Sequence, residues 1–150
     1  MGRWWRLVTP AAACAVMACG CSTDSRSYMT EVHGGVWENP VVLELPNADT
    51  VGLYDLRIAL RHDGSLDGHT VGMRVRTVTP DSLWIEEPLT MTVAADGRSR
   101  SAQHEAGCIY RRRVRLAKEG TYRITVAPLR AVSGVSAVGV EMAPEHDAGL

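Results

Sequence analysis

The chain has 150 residues, 45% of them apolar and 22% charged, with a formal net charge of −1. That suits one domain with a core of its own and is short for two. It excludes a strongly basic nucleic-acid binder and an acidic unfolded chain, and the 14 Gly and 7 Pro are too few for low-complexity sequence. There is no Phe, and Lys118 is the only lysine among 16 basic residues; both read as the codon bias of a GC-rich genome.

Residues 1–18 read as a secretory lipoprotein signal peptide. Arg3 and Arg6 form a positive start, and Leu7 to Ala18 is uncharged, mostly apolar and too short to span a bilayer. The signal ends in Val16-Met17-Ala18-Cys19, the order aliphatic, any, small, Cys of a bacterial lipobox. A thiol is needed there as the nucleophile for lipid transfer, so Cys19 is the expected lipidation site, with Cys21 as the competing acceptor. Two or more acyl chains at that residue would anchor the protein stably. Cys14 leaves with the signal, and Cys108 is expected as a small buried hydrophobe.

Residues 19–35 read as a polar lipidated tether, carrying Ser22, Thr23, Asp24, Ser25 and Ser27 before Gly34-Gly35. From Trp37 the pattern has period two. The expected strands are 41–45, 54–61, 71–76, 83–85, 89–93, 108–116, 121–127 and 135–142. Turn signals separate them at Pro46-Asn47, Asp63-Gly64, Asp67-Gly68, Pro80-Asp81 and Asp96-Gly97, the last opening a polar loop through Gly107. About eight short strands imply an all-β protein: an antiparallel β-sandwich, jelly-roll-like or immunoglobulin-like, over residues 36–143, with a flexible tail at 144–150. One hairpin has an expected register. Leu116 against Tyr122 and Val114 against Ile124 put apolar residues together, with Arg115 opposite Arg123 and Gly120 in the loop.

Arg111, Arg113, Arg115 and Arg123 would then share an outward face. It would serve either as a solvated sheet surface or as a basic stripe for an anionic partner such as an acidic glycan. Arg112 would point to the apolar side. His62-Asp63 and Asp67-Gly68-His69 fit turns better than any metal loop, and His104-Glu105 lacks the second histidine of a zinc-protease motif. No nucleophile elbow, phosphate loop or acid–base pair stands out, so the expected protein is not an enzyme and uses no metal or cofactor. Trp37 and Trp84 are expected in the core, with sugar stacking as the sharper alternative.

Read together, several segments resemble the gliding-motility lipoprotein GldH family of the Bacteroidetes. They are the lipobox Cys, Trp37, Tyr54-Asp55-Leu56-x-Ile58-x-Leu60-Arg61-His62, Glu119-Gly120-Thr121-Tyr122-x-Ile124, Pro128-Leu129-Arg130 and Gly134-Val135-x-x-Val138-Gly139-Val140. The stretch Asp67 to Val71 departs from that family's aromatic-rich segment. The resemblance implies an outer-membrane lipoprotein working with envelope or gliding-machinery proteins, and the single acidic residue just after the lipidated cysteine, Asp24, favours the periplasmic face over the cell surface. A glycan-binding accessory lipoprotein of a nutrient-uptake system is the alternative.

Overall fold

The period-two segments form β-strands stacked as two sheets. The computed structural model describes residues 25–95 and 103–145. Its strands are β1 (Arg26–Glu31), β2 (Val36–Trp37), β3 (Val41–Asn47), β4 (Leu53–His62), β5 (Thr70–Val78), β6 (Trp84–Thr92), β7 (His104–Arg115), β8 (Gly120–Pro128), β9 (Val132–Ser133) and β10 (Val135–Pro144). A short 3-10 turn, His33–Gly35, precedes β2. One sheet has the order β1-β10-β4-β7, the other β3-β8-β5-β6, and β2 pairs with β9; every pairing is antiparallel. The expected all-β sandwich is therefore the fold.

Alternation decides what lies between the sheets. In β3, Val41, Leu43 and Leu45 are buried and the residues between them are exposed. Leu56, Ile58 and Leu60 of β4 meet Met73 and Val75 of β5, Ile124 and Val126 of β8, and Val138, Val140 and Met142 of β10. Trp37 and Tyr122 belong to this core, as expected for both; Trp37 is 1% exposed. The outer faces carry cross-strand charge pairs. Arg57 meets Glu141 at 3.3 Å, Arg76 meets Glu86 at 3.3 Å and Arg123 meets Glu44 at 3.6 Å, each pair directly opposite in register.

Five expectations need correction. Residues 26–31 are not tether: β1 pairs with β10 from Arg26↔Met142 to Glu31↔Ala137, and Tyr28 packs on the core. Polar composition hid this because the backbone bonds tie the segment down whatever its outward side chains are. The segments 83–85 and 89–93 are one strand, β6, running through Pro88. The polar loop ends early, since β7 begins at His104; residues 96–102 lie outside the described residues. Residues 144 and 145 are not tail, because Pro144 pairs with Tyr54 and the Glu145 N–H donates to the Leu53 carbonyl at 2.9 Å; residues 146–150 lie outside the described residues. Finally, β7 and β8 are not a hairpin. β7 pairs with β4, while β8 pairs with β3 and β5 in the other sheet.

The strand directions give the sandwich two distinct ends. β1, β4, β6 and β8 begin at one end, where β3, β5, β7 and β10 finish; we call it the near end. The described chain starts there, at Ser25. The far end holds the 3-10 turn, the β2–β9 pair and the 63–69 loop.

Candidate functional site

Three links shape the near end, and each is built by local side-chain bonds. In the β3–β4 link the Asp49 carboxylate accepts from the N–H groups of Val51 and Gly52, both at 2.9 Å, and from the Tyr54 hydroxyl at 2.7 Å. The Gly52 bond, then Tyr54, then Val51 hold the Asp49 carboxyl down at about 2. In the β5–β6 link the Thr79 hydroxyl donates to Asp81 at 2.5 Å and accepts from the Leu83 N–H at 3.1 Å. The Thr79 bond keeps the Asp81 carboxyl below its usual range. In the β7–β8 link the Lys118 ammonium reaches Asp81 at 3.4 Å. Buried Asn47 donates its amide to the carbonyls of Leu116 and Lys118, both at 2.9 Å, and the Lys118 N–H donates to the Tyr122 hydroxyl at 3.0 Å. Gly120, at φ 123, turns the chain into β8.

These links present apolar side chains to solvent. Val51 is 75% exposed, Leu83 67%, Trp84 63% and Ile85 49%. The Arg76 guanidinium lies 4.5 Å above the Trp84 ring and covers one face of it. The expectation that Trp84 belongs to the core is overturned, because β6 is the free edge of its sheet and Trp84, opposite Val78, lies on the outer face beside Arg76. An apolar hollow of about 320 Å³ opens between β6 and β7, lined by Leu56, Leu83, Ile85, Tyr110, Val114 and Leu116 among others. Two contacts close the same side farther along. The Tyr110 and Thr77 hydroxyls bond at 3.0 Å, and Arg111 pairs with Glu87 across the two sheet edges. That bond raises the basicity of Arg111 above its ordinary value.

The four arginines picked out in the sequence do not form one stripe. Arg111, Arg113 and Arg115 lie on β7, while Arg123 lies on β8 in the opposite sheet and pairs with Glu44. Irregular register between β4 and β7 separates the first three. Arg111 stands opposite Leu56 and Val114 opposite Tyr54, so residues 112 and 113 bulge. Arg113 has φ 52, its N–H donates to Asp55 at 2.9 Å and its guanidinium pairs with Glu145. Arg111 turns to Glu87, and Arg112 is exposed instead of facing the core.

The far end holds His62 and His104. His62 and His104 face each other in register, buried, with ring centroids 5.6 Å apart. His62 Nδ1 accepts from the Gly64 N–H at 3.1 Å. Asp63 accepts from the Ser65 N–H at 3.0 Å; the Ser65 hydroxyl and then that N–H hold its carboxyl below the usual range. Asp63-Gly64 and Asp67-Gly68 sit in turns, as the sequence suggested, with Gly64 and Gly68 at positive φ; Asp96-Gly97 lies outside the described residues. Among the described residues no group of three or more His, Cys, Asp or Glu is placed to hold a metal ion. Cys108 is a free, half-buried thiol whose pKa burial raises. Cys19 and Cys21 lie outside the described residues. No helix among the described residues is long and apolar enough to cross a membrane.

No family model and no curated protein matches the chain. Among solved structures it is similar to a chain in the structure of infectious bursal disease virus, Gx strain, with 12% identity and a TM-score of 0.36. The match covers 83% of this chain and 33% of that one, so this chain spans a third of the viral chain's length. At that score the likeness carries no argument.

Proposed function

We propose that this chain is a lipid-anchored, non-enzymatic envelope protein. In this reading it acts by protein contact as an accessory component of a gliding or related machinery, as its resemblance to the GldH family implies. The anchor is Cys19, or Cys21, and the site is the periplasmic face of the outer membrane. The observation that supports the reading is where the domain takes over from the leader. Cys19 lies six residues before Ser25, and Arg26 is already hydrogen-bonded into the sheet. A lipid on Cys19 would hold a folded sandwich directly at the bilayer.

In-cell crosslinking followed by affinity purification and mass spectrometry of the tagged protein tests the role. Capture of gliding or secretion-machine subunits is the expected result; capture of sugar-uptake proteins overturns it. A second reading, a glycan-binding accessory lipoprotein, is favoured by one observation, the exposed indole of Trp84. It requires display outside the cell. Removal of the protein from intact cells by protease, with glycan binding lost in Trp84→Ala, would select it over the first.

A further inference from the structure

We infer that the near end of the sandwich is a bilayer-docking face, with Leu83, Trp84, Ile85 and Val51 entering the interfacial layer beside the anchor. The inference rests on the anchor reading and goes beyond it, since an anchored domain can equally stand clear of the membrane.

Two independent observations meet at this end. First, the chain emerges from it: Ser25 precedes Arg26, which stands in register with Met142, and Met142 with Leu56, a lining residue of the apolar hollow. Six residues span at most roughly 20 Å, so a lipid on Cys19 keeps this end within reach of the membrane. Second, four large apolar side chains are exposed at its rim, on the links at 48–52 and 79–83 and on the first two residues of β6. Leu83 and Ile85 border the hollow, and Trp84 stands on the other face of β6 beside Arg76, so exposed apolar side chains flank this edge on both faces and mark a contact surface. Its composition suits a lipid interface. An indole prefers the level of the headgroups, and Arg76, folded over that indole, can turn its guanidinium toward phosphates while its stem stays on apolar surface.

The charges at this end decide the manner of docking. Arg113 is paired with Glu145, Arg111 with Glu87, Lys118 with Asp81 and Arg123 with Glu44. Asp49 and Asp81 are both held in the anionic form. Among the described residues these pairs leave exposed Arg115 beside them but no large surplus of positive charge to seek anionic lipid. Docking is therefore apolar, needs no anionic headgroup and resists salt. Contact through four side chains is weak for a free protein. Tethering by six residues raises the local concentration of membrane to the millimolar range, where a weak contact is occupied.

The test uses the full chain, made with its own signal and reconstituted into phosphatidylethanolamine–phosphatidylcholine vesicles. Incorporation of labelled palmitate, lost in the Cys19→Ala, Cys21→Ala double variant, reports the anchor separately. The difference in emission between the protein and its Trp84→Tyr variant isolates Trp84. On vesicles with brominated acyl chains this emission should fall at least twofold relative to plain vesicles, and equally in 50 mM and 500 mM salt. Leu83→Ser with Ile85→Ser should abolish that quenching, with flotation and melting temperature retained. Unchanged Trp84 emission on brominated vesicles that carry the protein overturns docking and leaves the anchor standing. Failure of palmitate labelling overturns the anchor, and the same quenching at saturating vesicles then decides docking by itself: its absence overturns the face. Trp84 shielded by a captured protein on plain vesicles, without bromine quenching, overturns it in favour of a protein contact.

Discussion

Asp49 ties one near-end link with a single carboxylate, and its ionisation gives that link a pH limit. Its folded pKa is about 2, below the ordinary aspartate value of 3.8. A group with a depressed folded pKa contributes stability above its unfolded pKa, and that contribution is lost as pH falls through the folded value. Melting temperature against pH should therefore fall for the native protein between about pH 4 and pH 2. Asp49→Asn should lie below it at neutral pH, with the two curves meeting near pH 2. Asn47 allows a sharper contrast. Its buried amide donates to two carbonyls, so Asn47→Asp places a carboxylate against two acceptors and should cost about 3 kcal/mol in urea unfolding at pH 7. Gly134 has φ 83, and a Cβ there would strike the Ser65 hydroxyl and Asp63. Gly134→Ala should cost about 2 kcal/mol or more by the same measurement. At this scale the sequence told a good deal, because turn residues act on near neighbours. The Asp-Gly turns and Gly120 were readable. The outward position of Trp84 was not, since Leu83-Trp84-Ile85 looks the same in a covered strand and in a free edge.

The elements explain that failure more fully. Several buried faces were legible from alternation, as in Leu43 and Leu45 or Ile58 and Leu60, because the pleat enforces it; the face that Tyr28 of β1 adds was not. Strand partners were not legible. Leu116 and Val114 match Tyr122 and Ile124 well enough to suggest a hairpin, and the short link at 116–119 permits one. Instead the link carries the chain from one sheet to the other, where Tyr122 pairs with Leu45 and Val114 with Tyr54. A strand with one apolar face satisfies either arrangement, and the choice depends on residues far away in sequence. The arginine stripe failed for the same reason, since it required the hairpin. β6 shows how an open edge is kept single. Pro88 has no N–H to give and pairs opposite Arg74, so its nitrogen faces the free side of the sheet and interrupts any added strand. Pro88→Val should restore a continuous edge. The expected outcome is concentration-dependent self-association in light scattering, with a melting temperature close to that of the parent.

For the whole molecule, the two sheets differ in how their sides close. On one side β1 and β3 stand as the edge strands, and on the other β7 closes on β5 through Thr77–Tyr110 and on β6 through Arg111–Glu87. Exposed ion pairs contribute only about 0–1 kcal/mol each. Tyr110→Phe together with Arg111→Gln should therefore lower stability modestly. The larger expected effect is faster amide exchange along β6 and β7. Removing a core side chain is a different matter: Ile124→Ala should cost about 2–5 kcal/mol in equilibrium unfolding, since Ile124 is buried between the sheets. The sandwich itself was predictable because strand count and turn spacing constrain architecture strongly. Its topology was not, because the first strand pairs with the last.

That pairing sets how the protein bears a load. β1 leaves the domain at the near end and lies along the sheet, with six residues in register on β10. A pull on Ser25 away from the near end, resisted by anything holding the far end, runs parallel to β1. All the backbone bonds of the pair then carry tension together, as a lap joint does, and must slide past one another to fail. The same pull directed sideways would open them singly from Arg26, like a zipper. The domain is thus strong along one line and weak across it, and the strong line joins its N-terminal entry to its far end.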